Sequence, residues 1–452
     1  MRSLVATLRG YRLSAWRYGA GFESLVEQAL ERDTWSPARW KAWQDERLRY
    51  ILNRAATRVP YYREQWAERR RKGDTASWSY VQNWPILTKE EVRSASRAFV
   101  ADDCRVRRMY RDHTSGTTGK PMSIWLSSST VRQQYALSEA RLRRWHGVSR
   151  HEWWGIIGGQ VVVPFKQRKP PYWIRNAALK QVYFSALHIA PWSADSYLEA
   201  IRKYRLSHLI VYTNSLCSLA GRLPPGPRPV KSDLRVIVTN AEPLFDFQRR
   251  TIQAVFGCPV RETYGLVELV AMASECEHGR MHWWPECGLV EILDDDGREV
   301  SEGATGHLIA TGLLNADMPL IRYDTTDMTI RSPDRDGGCK CRRGLPLAGK
   351  FVGRHDDAVI TRDGRRLFQV DTILAPDLGI KEAQIIQHDF DRFTVKVVAS
   401  EDWTIEAADR LKYELRKRVG DVEVRVQMVD SIPRNWAGKF RIIISELTGS
   451  QR

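Results

Sequence analysis

The sequence predicts an α/β chain in which a large multilayer domain of sheets and helices is followed by a small α+β domain. Three observations lead there. At 452 residues the chain is too long for one small domain. The apolar runs Leu209-Ile210-Val211-Tyr212, Val236-Ile237-Val238 and Leu308-Ile309-Ala310 alternate with helical patterns, as buried strands layered with helices do. After Arg354 the character changes: an alternating strand at 393–398, an amphipathic helix at 405–419 and a second strand at 422–426 make a unit able to fold alone. The boundary is placed at 353–356, giving domains of residues 1–353 and 354–452.

Taken in order, the first nine residues are basic and mildly amphipathic, without a long apolar core or a cleavage site. A folded helix is expected there and secretion is not, while weak surface attachment stays open. Residues from about 20 to 110 carry helical spacing, with Phe22, Leu25, Val26, Ala29 and Leu30 as one apolar stripe. Residues 331–338 are polar and without periodicity, hence a loop. A hydrophobic content of 43% with 17 Trp supplies ample core, and no apolar stretch approaches the ~20 residues needed to cross a bilayer. Seven cysteines, an odd number spread through a large chain, argue for a reducing cytoplasm rather than a disulfide framework.

The stretch Thr114-Ser115-Gly116-Thr117-Thr118-Gly119-Lys120-Pro121 carries the most chemistry. Gly, Ser and Thr let backbone N–H groups and hydroxyls converge on a phosphate, and Lys120 adds a cation. It is no Walker A loop, because only two residues separate the glycines and Pro121 follows the lysine. An ordinary polar hairpin is the competing reading. Further segments follow in order: Asn240-Ala241-Glu242-Pro243 after an apolar run, Tyr264-Gly265-Leu266-Val267-Glu268, Tyr323-Asp324-Thr325-Thr326-Asp327, Gly353-Arg354-His355-Asp356-Asp357, and Gly438-Lys439.

With these segments in this order, the chain resembles the adenylate-forming superfamily of acyl-CoA synthetases, peptide-synthetase adenylation domains and luciferases. Within it the chain looks most similar to phenylacetate–CoA ligase-like proteins, including a branch found with capsular polysaccharide biosynthesis. Arg58-Val59-Pro60-Tyr61-Tyr62-Arg63, Trp84-Pro85-Ile86-Leu87-Thr88-Lys89-Glu90 and the pair Cys339, Cys341 point there. The resemblance implies ATP-dependent activation of a carboxylic acid, with aromatic acids as candidates, to acyl-AMP and pyrophosphate, then transfer to CoA. Transfer to an amine, a sugar or a separate carrier protein is the alternative, and a nucleic-acid-binding protein on a degenerate enzyme fold is a third reading. Against that third reading, the sequence has no zinc-finger helix, RRM-type aromatic motif or long basic tail. The net charge of +16 equally suits the polyanions ATP and CoA.

Roles follow residue by residue from the resemblance. Thr114, Ser115, Gly116, Thr117, Thr118, Gly119 and Lys120 hold the β and γ phosphates. Glu268 is a hard oxygen donor suited to Mg²⁺, a surface glutamate being its alternative. Asn240, Ala241, Glu242, Pro243, Tyr264 and Gly265 serve adenine; Tyr264 as a core residue is the competing reading. Asp327 and Arg354 serve ribose or phosphate, or form an interdomain salt bridge. Lys439 is implied to contact the carboxylate and α-phosphate only in the adenylating arrangement, then to leave as the small mobile domain turns about Asp356. Trp154, Tyr172, Trp173 and Tyr212 are candidate walls of an acid pocket or simply core. Asp324 stands where Arg is common in the family and adds negative charge. Three thiols and an imidazole, Cys276, His282, Cys339 and Cys341, would make a closed structural Zn²⁺ site; His278 competes with His282, and ordinary reduced cysteines are the alternative. Nothing in the sequence excludes a homodimer.

Overall fold

The computed structural model describes residues 2–114, 122–223, 229–333, 338–354, 358–363, 366–367, 373–374, 378–401, 403–433 and 441–447. Of the residues singled out above, Ser115, Gly116, Thr117, Thr118, Gly119, Lys120, Pro121, His355, Asp356, Asp357, Gly438 and Lys439 lie outside those described. The chain forms two compact units, Leu8–Arg150 with Arg261–Phe351, and Met1–Thr7 with His151–Val260 and Val352–Arg452.

In the first unit, the helix Phe22–Arg32 buries Phe22, Val26 and Ala29, the stripe that the spacing predicts. The helix Pro37–Arg58 begins where Ser36 accepts a hydrogen bond from the Arg39 N–H, with proline in its first turn. Thr88 and Glu91 open Lys89–Ser94 with a reciprocal capping box. Trp84 anchors the core between these helices, with Tyr62 and Trp66 edge-on to it, each at 5.2 Å between ring centroids. Sets of antiparallel strands pack with these helices. One joins Gly288–Leu293, Thr305–Gly312 and Tyr323–Ile330; the other joins Val260–Gly265, Met272–Glu275 and Met281–Trp283.

One ionic node ties distant parts of this unit together. Arg141, fully buried, forks onto both oxygens of Glu286 at 2.8 and 3.0 Å and reaches Asp33 through Nε at 3.0 Å. Trp145 Nε1 donates to the other Asp33 oxygen at 2.7 Å, and Arg32 Nε donates to Glu286 at 3.0 Å. The helix widens into a π turn over Glu139–Arg143, the segment that carries this arginine.

In the second unit, five sheet strands run in the order Val236–Asn240, His208–Tyr212, Trp154–Gly158, Gln181–Ser185 and Trp173–Asn176. The first four strands are parallel and the last antiparallel, with buried Val182, Phe184, Leu209 and Val211 facing helices such as Ala194–Lys203. Residues toward the C-terminus build a separate sheet, Glu423–Met428, Arg392–Ala399, Ile380–Gln387 and Ile443–Ser445, covered by the helix Ile405–Val419. Its own core includes Ile385, Phe393, Val395, Leu411 and Leu415. The predicted strands at 209–212, 236–238, 308–310 and 393–398 and the predicted helix at 405–419 all form.

Replacing Arg141 with Met should leave Asp33 buried without its cation and Glu286 with Arg32 alone. Breaking a buried pair from one side costs about 3–5 kcal/mol, so urea denaturation should show a loss of that size.

Candidate active site and metal centre

The base of the phosphate-loop candidate is built by two short antiparallel strands, Tyr110–His113 and Ser123–Leu126, in the register Tyr110 to Leu126. Buried Thr114 continues the pairing. Its N–H donates to the Met122 carbonyl at 3.0 Å, and its Oγ1 accepts from the Met122 N–H at 3.1 Å. The two flanks of 115–121 are therefore held together by both the backbone and the side chain of one threonine.

Two tyrosines and two carboxylates from separate segments meet in the same unit. Tyr264 lies near the end of the strand Val260–Gly265, and its hydroxyl donates to Asp327 Oδ2 at 2.7 Å. Tyr323 opens the strand Tyr323–Ile330, and its hydroxyl donates to Glu268 Oε1 at 2.9 Å. The Lys89 ammonium stands 3.5 Å from the same oxygen. Burial, and then the neighbouring carboxylates, push both phenols well above their ordinary pKa, so they stay protonated donors. Phe351 stacks on Tyr264 at 4.0 Å between centroids and 8° between planes.

Between those tyrosine-anchored points the backbone is strained. Thr326, a β-branched residue, has φ of 64°, held by a hydrogen bond from its N–H to Asp324 Oδ1 at 2.8 Å. Asp327 N–H donates to Thr325 Oγ1 at 3.1 Å. Asp324 thus serves this turn, which accounts for an acidic residue where the sequence comparison led us to expect arginine. Glu268 and Asp327 were legible as candidates; Tyr323 and Lys89, which hold Glu268, were not singled out although both fall inside quoted segments. Phe351 carried no signal beyond being an aromatic two residues before Gly353.

In the other unit, the strand Val236–Asn240 ends in a turn where Ala241 has φ of 62°. Glu242 Oε2 accepts from the Asn214 N–H at 2.9 Å, in the first turn of the helix Thr213–Ala220, where a carboxylate is favoured. Pro243 follows, and half-buried Arg354 ends the strand Phe351–Arg354. Of the aromatics weighed as pocket walls, Trp154 and Tyr172 belong to the core. Trp154 stacks on His208, and Tyr172 stacks between His188 and Tyr197. Trp173 and Tyr212 are half-buried.

The four predicted cysteine and histidine side chains converge, with all ligand atoms within 4.8 Å of one another. Cys276 and Cys339 sulfurs are 3.6 Å apart, and Cys341 Sγ is 3.4 Å from His282 Nε2. His282 Nδ1 lies 3.2 Å from the Leu345 carbonyl, so Nδ1 donates there and Nε2 turns its lone pair to the thiols. Burial lowers the His282 pKa to about 4, leaving a neutral imidazole as a ligand must be. Burial raises the Cys276 thiol to about 12, whereas at Cys339 hydrogen bonds from Cys341 outweigh burial and lower it. Gly344 permits the approach of this loop to the body: a Cβ there would stand 1.7 Å from the Trp35 carbonyl oxygen. The donor set and spacing fit a tetrahedral Zn²⁺. His278 is not part of the cluster.

The fold is that of an adenylate-forming protein. Residues 37–317 match the family described as AMP-binding enzyme, and the chain belongs to that family. Residues 360–446 match the CapK C-terminal domain. Among curated relatives, Protein CapK of Staphylococcus aureus is 24% identical over 416 residues, covering 89% of each chain. A phenylacetate-coenzyme A ligase of Thermus thermophilus is 25% identical over 461 residues, covering 92% of this chain and 98% of that one. In fold, the chain is similar to a 2-hydroxyisobutyryl-CoA ligase solved in the postadenylation state with an acyl-AMP. The TM-score is 0.70 at 18% identity, covering 92% of this chain and 91% of that one.

Tyr323→Phe should strip the hydroxyl from buried Glu268. Leaving a buried acceptor short of a donor costs about 1–3 kcal/mol, which chemical denaturation will read.

Proposed function

We propose that the chain joins a carboxylic acid to ATP, releasing pyrophosphate and keeping the acid as acyl-AMP, and then transfers the acyl group to CoA. The observation that carries this reading is the meeting of Tyr264, Asp327, Tyr323 and Glu268 through two hydrogen bonds between distant segments. In the first step a carboxylate oxygen bonds to the α-phosphorus while the bond to the departing pyrophosphate breaks. Both reactants are anions, so the protein's work is positioning and charge neutralisation.

We assign Thr114 to Lys120 to the β and γ phosphates. Glu268 would hold Mg²⁺, for which a carboxylate steadied by Tyr323 and Lys89 is a fitting hard donor. Bound there, the ion supplies neutralisation of phosphate charge. Tyr264 offers adenine the ring face opposite Phe351, and its hydroxyl orients Asp327 to accept from the ribose hydroxyls. Asn240, Ala241, Glu242, Pro243 and Gly265 are assigned to the base, and Arg354 to ribose or phosphate. Residues 354–452 act as the mobile domain, turning about Asp356 to bring Lys439 to the reacting carboxylate and then withdraw it. Relatives named phenylacetate-coenzyme A ligase make aromatic acids the first class to screen. The similarity to Protein CapK along most of the chain keeps a second reading, in which the acceptor is an amine, a sugar or a separate carrier protein. Dependence of product on CoA separates the two.

We further assign a structural Zn²⁺ to Cys276, His282, Cys339 and Cys341, which requires the reduced thiols of a cytoplasmic location. Metal analysis of native protein should find close to one zinc per chain. Cys339→Ser with Cys341→Ser should lose the metal and lower the melting temperature.

Pyrophosphate exchange across a panel of acids tests the adenylation itself. Lys439→Ala should lower the exchange rate about 10²–10³-fold while leaving thioester formation from supplied acyl-AMP nearly intact. Asp356→Pro should instead uncouple the two half-reactions. Equal loss of both half-reactions in folded Lys439→Ala would overturn the two-arrangement mechanism.

A further inference from the structure

The helix Arg2–Arg17 leaves an apolar stripe uncovered. Leu4, Leu8 and Tyr11 follow the i, i+4, i+7 spacing of one helix face and are 65, 62 and 64% exposed. No acidic residue occurs between Arg2 and Arg17, and exposed Arg2, Arg9 and Arg12 flank the stripe on one side. Single exposed hydrophobics need no explanation, but a periodic row edged by cations does.

A second element carries the same chemistry. Phe165 is 62% exposed and Val161 57%, in a segment that also presents Lys166, Arg168 and Lys169 to solvent. Trp192, 52% exposed, lies under the Arg168 guanidinium at 5.8 Å. The first turns of the helix are fastened to this region. Arg2 donates to Gln167 Oε1 at 3.2 Å, and the hydroxyls of Ser3 and Thr7 accept from the N–H groups of Arg175 and Ala177 at 3.2 and 3.1 Å.

We infer that the exposed apolar face of the helix Arg2–Arg17 is a docking surface for an anionic lipid bilayer. The helix has too few residues and too much charge to span a membrane, and no helix among the described residues is long and apolar enough to do so. It has the make-up of one that lies in the interface: apolar side chains enter the acyl boundary, aromatic rings sit at headgroup depth, and arginines meet lipid phosphates. The cations beside the stripe favour anionic lipid over a neutral apolar protein partner. The net charge of +16 adds long-range attraction to such a surface. The surface stands independently of the adenylation reading.

Co-sedimentation of the full chain with vesicles tests the inference. Vesicles of phosphatidylcholine with about one third phosphatidylglycerol should bind it, while pure phosphatidylcholine should bind it weakly, and high salt should weaken binding to the anionic vesicles. Leu4→Ser with Leu8→Ser should reduce binding about ten-fold or more. Both side chains are exposed, so melting temperature should be unchanged. Arg9→Gln with Arg12→Gln should remove the preference for anionic lipid. No binding to the anionic vesicles overturns the inference. Binding that survives the serine variants, or is matched by equal capture on RNA, overturns it too, because general polyanion adhesion would then account for the retention.

Discussion

Arg141 has no water to solvate it, and everything around it is arranged so that it is never without a carboxylate. It draws the end of the helix Phe22–Arg32, the π turn at Glu139–Arg143 and the segment at Glu286 to one point. Trp145 joins that node through Asp33 and packs in the same cluster as Cys276, Cys339, Leu345 and Leu347. The buried charge and the cysteine–histidine group thus share walls. A well-packed apolar replacement could be as stable, but the fork of Arg141 onto Glu286 restricts how these three segments can meet.

The same constraint shapes the candidate active site. Glu268 is buried and Asp327 half-buried, and each is answered by a tyrosine hydroxyl from another segment. The phenols are held protonated by burial and by the very carboxylates they serve. Such pairing orients the acid oxygens before any ligand arrives, which is what a reaction between two anions needs from its catalyst. The strained Thr326 between them is consistent with a turn shaped for a ligand rather than for stability alone.

Positive charge is used in more than one way on this chain. Some arginines are consumed in buried pairs such as Arg141 with Glu286. Others, including Arg9 and Arg12, remain on an exposed helix beside leucines. A net charge cannot distinguish these uses, because it counts side chains and ignores where they point.

Sequence alone was enough for the local elements and the chemistry-bearing types. The stripe Phe22, Val26, Ala29 and the helix Ile405–Val419 follow from a 3.6-residue period that each segment carries within itself. Glu268, Asp327 and the four metal-ligand candidates were legible because motif spacing and donor type are written along the chain. What the tertiary structure decided were the partners. Tyr323 belongs to Glu268 and Tyr264 to Asp327 only because strands 55 and 63 residues away are brought alongside. His282, and not His278, turns toward the thiols because the Leu345 carbonyl takes its other nitrogen. Trp154 and Tyr172 look like pocket walls in the sequence and lie in the core in the fold, since an aromatic ring is equally suited to both and only packing chooses. Periodicity and residue type act within a few residues along the chain, whereas hydrogen bonds and burial act between segments that only folding makes neighbours.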